Sequence, residues 1–284
     1  MNVSGPQLST YEERPSFLLL SRLLDREKLA YLNYPQPTSN HHMFSIQTLE
    51  NILFLDIETV SCVPNFEELD ERLQLHWQKK ALRLVKDGEP LDFDKIFKDK
   101  AGIYAEFGKI VCISCGYLRF SESGIPSITL KSYSGEDEAV ILSAFGDMLN
   151  KFMSKDKRNL CAHNGKEFDF PYLGRRYVIN GMPVPYALRT QGKKPWETNF
   201  LDSMELWKFG DYKSYTSLDL LAAILDVPSP KDEIDGSQVS GVFWEEKDVE
   251  KITRYCEKDV KTTAQILLRM SQLPLIPETT EQTT

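Results

Sequence analysis

The stretch Ile52-Leu53-Phe54-Leu55-Asp56-Ile57-Glu58-Thr59 decides how the rest of the chain is read. A four-residue apolar run that ends in two carboxylates one residue apart reads as a short strand with a charged end. Side chains alternate faces along a strand, so Asp56 and Glu58 point the same way while Leu55 and Ile57 turn into a core. Two acids this close repel each other. Unless a cation lies between them, at least one carboxyl must titrate high, an arrangement suited to acid–base or metal chemistry. The bland alternative is a strand end meeting water, and the remaining sequence decides between the two.

The 284 residues suffice for one large domain with additions, and 41% hydrophobic with 27% charged residues is an ordinary globular composition. A formal net charge of −8 argues against coating nucleic acid through global charge, yet leaves room for an acidic site neutralised by metal ions. Five cysteines, an odd number with no secretory signal, point to a reduced intracellular compartment. Cys112 and Cys115 lie within a strand-like run, Ile110 to Tyr117, and face opposite sides of it, which favours packing over zinc. The apolar run Phe17 to Leu20 is broken by Arg22 and suits neither a signal peptide nor a membrane span, so a cytoplasmic location is expected.

Residues 1–48 read as an extension, with a helix from Pro15-Ser16 to about Leu32 and breakers at Asn33-Tyr34-Pro35-Gln36-Pro37. His41 and His42 are expected to be solvated. Met43 is a natural place for the compact domain to begin, and the preceding segment reads as a start-site extension. Residues 49–273 form the main domain and 274–284 a disordered tail. Within the domain the pattern runs from the first strand to a charged helical segment, Phe66 to about Val85, then a loop-like stretch, Lys86 to Lys100. Strands Ile110 to Phe120 and Ser127 to Ser134 form a hairpin through Ser121-Glu122-Ser123-Gly124, followed by a helix Glu136 to Phe152 and a short strand Asn159 to His163. Beyond it the pattern is mainly helical. This order predicts an α/β fold: a central mixed sheet flanked by helices, with the two acids near its middle.

Three further features carry chemistry. Asn164-Gly165-Lys166-Glu167-Phe168-Asp169 follows the short strand, and Gly165 permits a turn into a helix that places Asp169 in its first turns, where a helix-dipole role is the plain alternative. In the long helix Asp248 to Met270, Tyr255 and Asp259 stand four apart on one face. Asp202, in Phe200-Leu201-Asp202-Ser203, ends a strand before a helix, and capping accounts for it.

Together, Asp56, Glu58, Asp169 and Asp259 with Tyr255 resemble the DEDD superfamily of 3′–5′ exonucleases in its tyrosine subclass. D-x-E, N-x3-F-D and Y-x3-D occur in family order, and Asn164-x3-Phe168-Asp169 is similar to the second motif of the proofreading domain of B-family DNA polymerases. The resemblance spans roughly Ile52 to Met270 and is closest to stand-alone bacterial exonucleases related to that domain. It implies an RNase H-like fold and two divalent cations, Mg²⁺ or Mn²⁺, held by Asp56, Glu58, Asp169 and Asp259, which hydrolyse a terminal phosphodiester. It also implies that Tyr255 orients the attacking water, since a phenol titrating near 10 is a poor base at neutral pH. Asn164, Phe168 and Thr59 become candidates for contact with the substrate strand. The partner implied is nucleic acid with a single-stranded or frayed 3′ end, DNA in the leading reading. An exoribonuclease, a silent nucleic-acid-binding domain and a structure-specific endonuclease are the alternatives. Arg175, Arg176, Arg189, Lys193 and Lys194, interleaved with Tyr177, Tyr186 and Trp196, suit either a strand-tracking surface or a solvated face. Ser229-Pro230-Lys231 and the Asp235-Gly236-Ser237 turn also resemble the family, without an assigned mechanism.

Overall fold

Buried side chains run through Ile52–Ser61 almost without alternation because this strand, β1, is covered on both faces. Leu53, Leu55 and Ile57 pack with Leu142, Phe145 and Leu173 on one side, while Ile52 and Phe54 pack with Leu221, Val260 and Leu267 on the other. The computed structural model describes residues 42–85, 90–211, 213–228, 234–277 and 281–283. The expected helix at 15–32 and Lys231 lie outside the described residues.

A short helix α1 (Ile46–Leu49) leads into β1, which pairs antiparallel with β2 (Gly108–Phe120), and β2 pairs antiparallel with β3 (Pro126–Ser134). After α4 (Glu138–Met153) the chain returns as β4 (Asn159–Ala162), parallel to β1, and β5 (Phe200–Asp202) is parallel to β4. The sheet order is β5-β4-β1-β2-β3, extended at the far edge by β6 (Glu281–Thr283) parallel to β3. An antiparallel meander followed by two parallel strands on the other side of β1 is the RNase H-like arrangement. Helices α4 and α5 (Asp169–Ile179) cover one face of the sheet; α7 (Leu218–Ile224) and the long α8 (Val249–Met270) cover the other. A six-residue α6 (Ser203–Lys208) follows β5.

Four sequence expectations change. The acids do not end their strand: β1 continues to Ser61, paired with Gly108, and a bulge falls between Glu58 and Thr59. The polar stretch before Lys100 is not all loop. Asp92 caps a helix, α3 (Phe93–Lys100), by accepting from the Lys95 N–H, and Phe97 is buried. Phe97 and Phe107 meet Trp77 of α2 (Glu71–Ala81) edge-on, with ring centroids 5.2 and 5.0 Å away, so the charged segment from 66 onward buries an aromatic side against the end of β1. His42 is half-buried rather than solvated, its Nδ1 2.5 Å from the Ser271 carbonyl. Packing also extends past residue 273: Ile276 is buried and its N–H donates to Gln265 Oε1 at 2.8 Å.

Cys112 and Cys115 face opposite sides of β2, the first with Val60 and Cys256 and the second with Leu55 and Ile113. Among the described residues no helix is long and apolar enough to cross a membrane.

Candidate active site

Asp56 and Glu58 project from the middle of β1 toward α8. Glu58 is buried and Asp56 is half-buried. Cys256 of α8 reaches Asp56 from above, its thiol donating to Oδ2 at 3.2 Å and to the backbone carbonyl at 3.3 Å. Burial pushes the Cys256 thiol up, which keeps it protonated and therefore a donor.

The edge of β1 facing β4 is paired only over Ile52–Phe54. Beyond that point Asp169 stands in for a strand: its Oδ1 accepts the Ile57 N–H at 3.2 Å. Sequence-distant acids are thus tied together through backbone. The turn that delivers Asp169 has Asn164 in the left-handed region (φ 60°), and an added Cβ at Gly165 would collide with Ala162. Asp202 holds this turn in place. Buried at the end of β5, it accepts from the N–H groups of Asn164 (3.0 Å) and Lys166 (3.1 Å) as well as from Met204 and Glu205 at the start of α6. Capping was legible in the sequence; the second pair of bonds was not. His163 braces the same region, Nδ1 lying 2.8 Å from Ser203 Oγ and Nε2 2.9 Å from the Thr216 carbonyl.

Asp259 lies on α8 one turn after Tyr255, and its charge acts on Asp56, Glu58 and Asp169 alike. The Tyr255 ring packs half-buried against the cluster of Val60, Val239, Ile252 and Cys256, and a Cβ at Gly236 would lie 3.9 Å from its hydroxyl. The Asp235-Gly236-Ser237 turn therefore borders the tyrosine.

Burial is the largest cause of high carboxyl pKa values here, followed by mutual repulsion. Asp56 is raised by burial, then by Glu58, Asp169 and Asp259; Glu58 by burial, then by Asp259, Cys112 and Asp169. Burial lifts Asp169 to about 7 against the opposing pull of backbone N–H groups, with Asp202 and Asp259 adding repulsion. Four carboxyls from β1, α5 and α8 thus form one electrostatic unit that is strained when ionised. A divalent cation fits this donor set. Carboxylate oxygens suit Mg²⁺ or Mn²⁺, a dication would offset the repulsion, and carboxylate oxygens of Asp56 and Glu58 lie within 4.8 Å of each other, with the protonated Cys256 thiol beside them. Nearby, Asn164 Oδ1 is buried with no hydrogen-bond partner among the described residues, an acceptor left for a ligand.

Thr59, just past the bulge, interacts through its side chain with Tyr172, whose hydroxyl also donates to the Gly102 carbonyl at 2.8 Å. The Phe168 ring, half-buried, lies 5.3 Å from that of Tyr172. Thr59 and Phe168 thus meet at one aromatic group beside Asp169. Of the basic stretch, Arg176 is not a surface cation: it is buried and bidentate to Glu138 (2.8 and 2.5 Å), and Tyr177 is buried as well. Tyr186 and Trp196 are exposed, with Lys193 and Lys194 over their rings at 5.3 and 5.2 Å.

The fold and site define an RNase H-like α/β protein with an acidic centre of the kind that holds divalent cations. The chain belongs to the family described as predicted 3′–5′ exonuclease related to the exonuclease domain of PolB, which matches residues 103–278, more than half of the chain. Asn164, Phe168, Asp169, Tyr255 and Asp259 fall inside the match; Asp56 and Glu58 precede it. No curated protein matches. Among solved structures the chain is similar to the family B DNA polymerase from the hyperthermophilic archaeon Pyrobaculum calidifontis, at 18% identity and TM-score 0.43, covering 75% of this chain and 23% of the polymerase. It is also similar to E. coli Exonuclease I in complex with a dT13 oligonucleotide, at 11% identity and TM-score 0.34, covering 78% of this chain and 41% of that one. The chain spans about a quarter of the polymerase's length and two fifths of that of Exonuclease I.

Proposed function

We propose that this protein is a metal-dependent 3′–5′ exonuclease of the DEDD tyrosine subclass, releasing nucleoside monophosphates from single-stranded or frayed DNA ends. The observation that carries this reading is the convergence of Asp56 and Glu58 from β1, Asp169 from α5 and Asp259 from α8 into one mutually repelling cluster. Burial and mutual repulsion raise three of these acids above the ordinary carboxylate range, with Asp259 adding to the repulsion, and a bound dication would offset both. In this reading Asp56, Glu58, Asp169 and Asp259 hold two divalent ions, which supply Lewis-acid stabilisation of the attacking and leaving oxygens. Tyr255 orients the water for in-line attack, its hydroxyl set beside the Gly236 turn. Asn164 offers its unpaired Oδ1 to the strand, and Thr59 with Phe168 borders the terminal nucleotide. Asp202 touches no substrate; it positions Asn164 and, through the turn, Asp169.

Digestion of matched 5′-labelled single-stranded DNA and RNA in Mg²⁺ or Mn²⁺, beside an Asp56→Ala control, tests the reading. A one-nucleotide ladder descending from the 3′ end of DNA, faster than from RNA and absent in the variant, is expected. A faster ladder on RNA would replace DNA with RNA as substrate, and internal cuts or no cleavage of either would overturn exonuclease function.

A further inference from the structure

A cavity of 430 Å³ opens on the sheet face opposite the carboxylates, between β1–β3 and the C-terminal half of α4. Leu53 and Met148 form its floor, and Tyr117 and Phe152 stand in its wall. Its remaining side chains include Lys131, Lys151, Lys155 and Arg158, and no carboxylate lines it. Four cations gathered without an acid are notable in a chain of net charge −8. Among the described residues none of the four is in an ion pair.

Arg158 is the group that looks built for a ligand. Its guanidinium lies 4.5 Å from the Phe152 ring centroid and Nη1 donates to the Glu50 carbonyl at 2.9 Å, which fixes its plane. Its Nε is buried with no hydrogen-bond partner among the described residues. Across the cavity the Tyr117 ring carries Arg119 at 5.1 Å.

We infer that this cavity is a second ligand site, separate from the carboxylate cluster, that takes a nucleoside phosphate. Each part of such a ligand has a counterpart. A flat base stacks on Tyr117 and Phe152, whose rings are already in cation–aromatic contact. Phosphate oxygens meet the lysines and the guanidinium. The volume falls within the range of about 300–1,000 Å³ usual for small-molecule sites. The site rests on this cavity alone and stands whether or not the protein is an exonuclease.

Calorimetric titration of the full chain with AMP and dAMP, in EDTA and in the Asp56→Asn background to prevent turnover, tests the inference. Saturable binding is expected, with the same affinity when Asp56 is intact, and the affinity falls by about tenfold or more in Lys131→Glu/Lys155→Glu, a pair of exposed lysines whose reversal leaves the melting temperature unchanged. Phe152→Leu weakens AMP more than inorganic phosphate. No saturable binding would overturn the inference, as would affinity indifferent to the charge reversal. Loss of binding on Asp56→Asn would place the nucleotide at the carboxylates instead, and equal affinity for inorganic phosphate would remove the base from the site.

Discussion

Asp169 makes the metal-free protein less stable as pH rises through the neutral range. Its carboxyl titrates at about 7 in the folded state against an ordinary value of 3.8. Between those values the folded chain keeps a proton that the unfolded chain has released, so raising the pH there favours unfolding. Stability from this group is greatest below 3.8, is lost as pH climbs to about 7, and is level beyond. For one group shifted by about three units, the loss between pH 5 and pH 8 is about 3 kcal/mol. Asp169 is 3% exposed, so solvent screening takes little from that figure. Asp56 and Glu58, also raised, push the same way. The half-buried His163 is lowered, chiefly by burial, and works in the opposite direction as pH passes its titration, so the test is a difference between two proteins that share it. Urea unfolding in EDTA at pH 5 and pH 8 is compared for wild type and Asp169→Asn. The wild type should lose about 3 kcal/mol more than the variant over this interval, and excess Mn²⁺ should recover part of the loss at pH 8 but little at pH 5. Equal pH dependence in the two proteins, within the error of the extrapolation, would refute the assignment of this strain to Asp169.

Replacing Tyr255 with Phe is expected to slow turnover by about 10²-fold or more while Mn²⁺ affinity stays within a few fold, and matched metal titrations and single-turnover rates check it; lost metal affinity would contradict an orienting role. Gly108→Ala should destabilise by about 1–3 kcal/mol in urea unfolding, because the added methyl would run into the Tyr172 hydroxyl and the Gly102 carbonyl oxygen. Wild-type stability there would mean that Tyr172 and its neighbours Thr59 and Phe168 give way freely. Glu138→Ala should cost about 3–5 kcal/mol, since it strands buried Arg176 and removes the acceptor for the Ile110 N–H (2.7 Å) and for Asn180 (2.9 Å). Chemical denaturation measures it, and a cost near that of a surface pair would refute the burial argument.

Much of the fold was legible because its signals are local. The hairpin turn, the period of α8 and the apolar run of β1 each declare an element within a few residues. The carboxylates were legible by spacing and order. What the sequence left out depends on partners distant in the chain. β1 runs on to Ser61 because β2 pairs with it, and the bulge after Glu58 belongs to that pair. Asp202 steadies Asn164 and Lys166 only because β5 lies parallel beside β4. Nothing near Cys256 announces that its thiol will meet Asp56. The helix at 93–100 was hidden by its Lys and Asp residues, although Phe93, Ile96 and Phe97 stand at helical spacing. Arg176 was counted with the surface cations because nothing local marks Glu138 as its partner.

Acids from three separate segments form one electrostatic unit, which the proposed function makes a divalent-cation site. Equilibrium Mn²⁺ titration of metal-free protein at pH 8, followed by the paramagnetic resonance signal of free Mn²⁺, tests it most directly. Two ions should bind per wild-type chain, with Asp56→Ala abolishing uptake of both and Asp259→Ala and Asp169→Asn each weakening it. Wild-type protein that leaves Mn²⁺ free, or uptake indifferent to all three substitutions, would contradict the account.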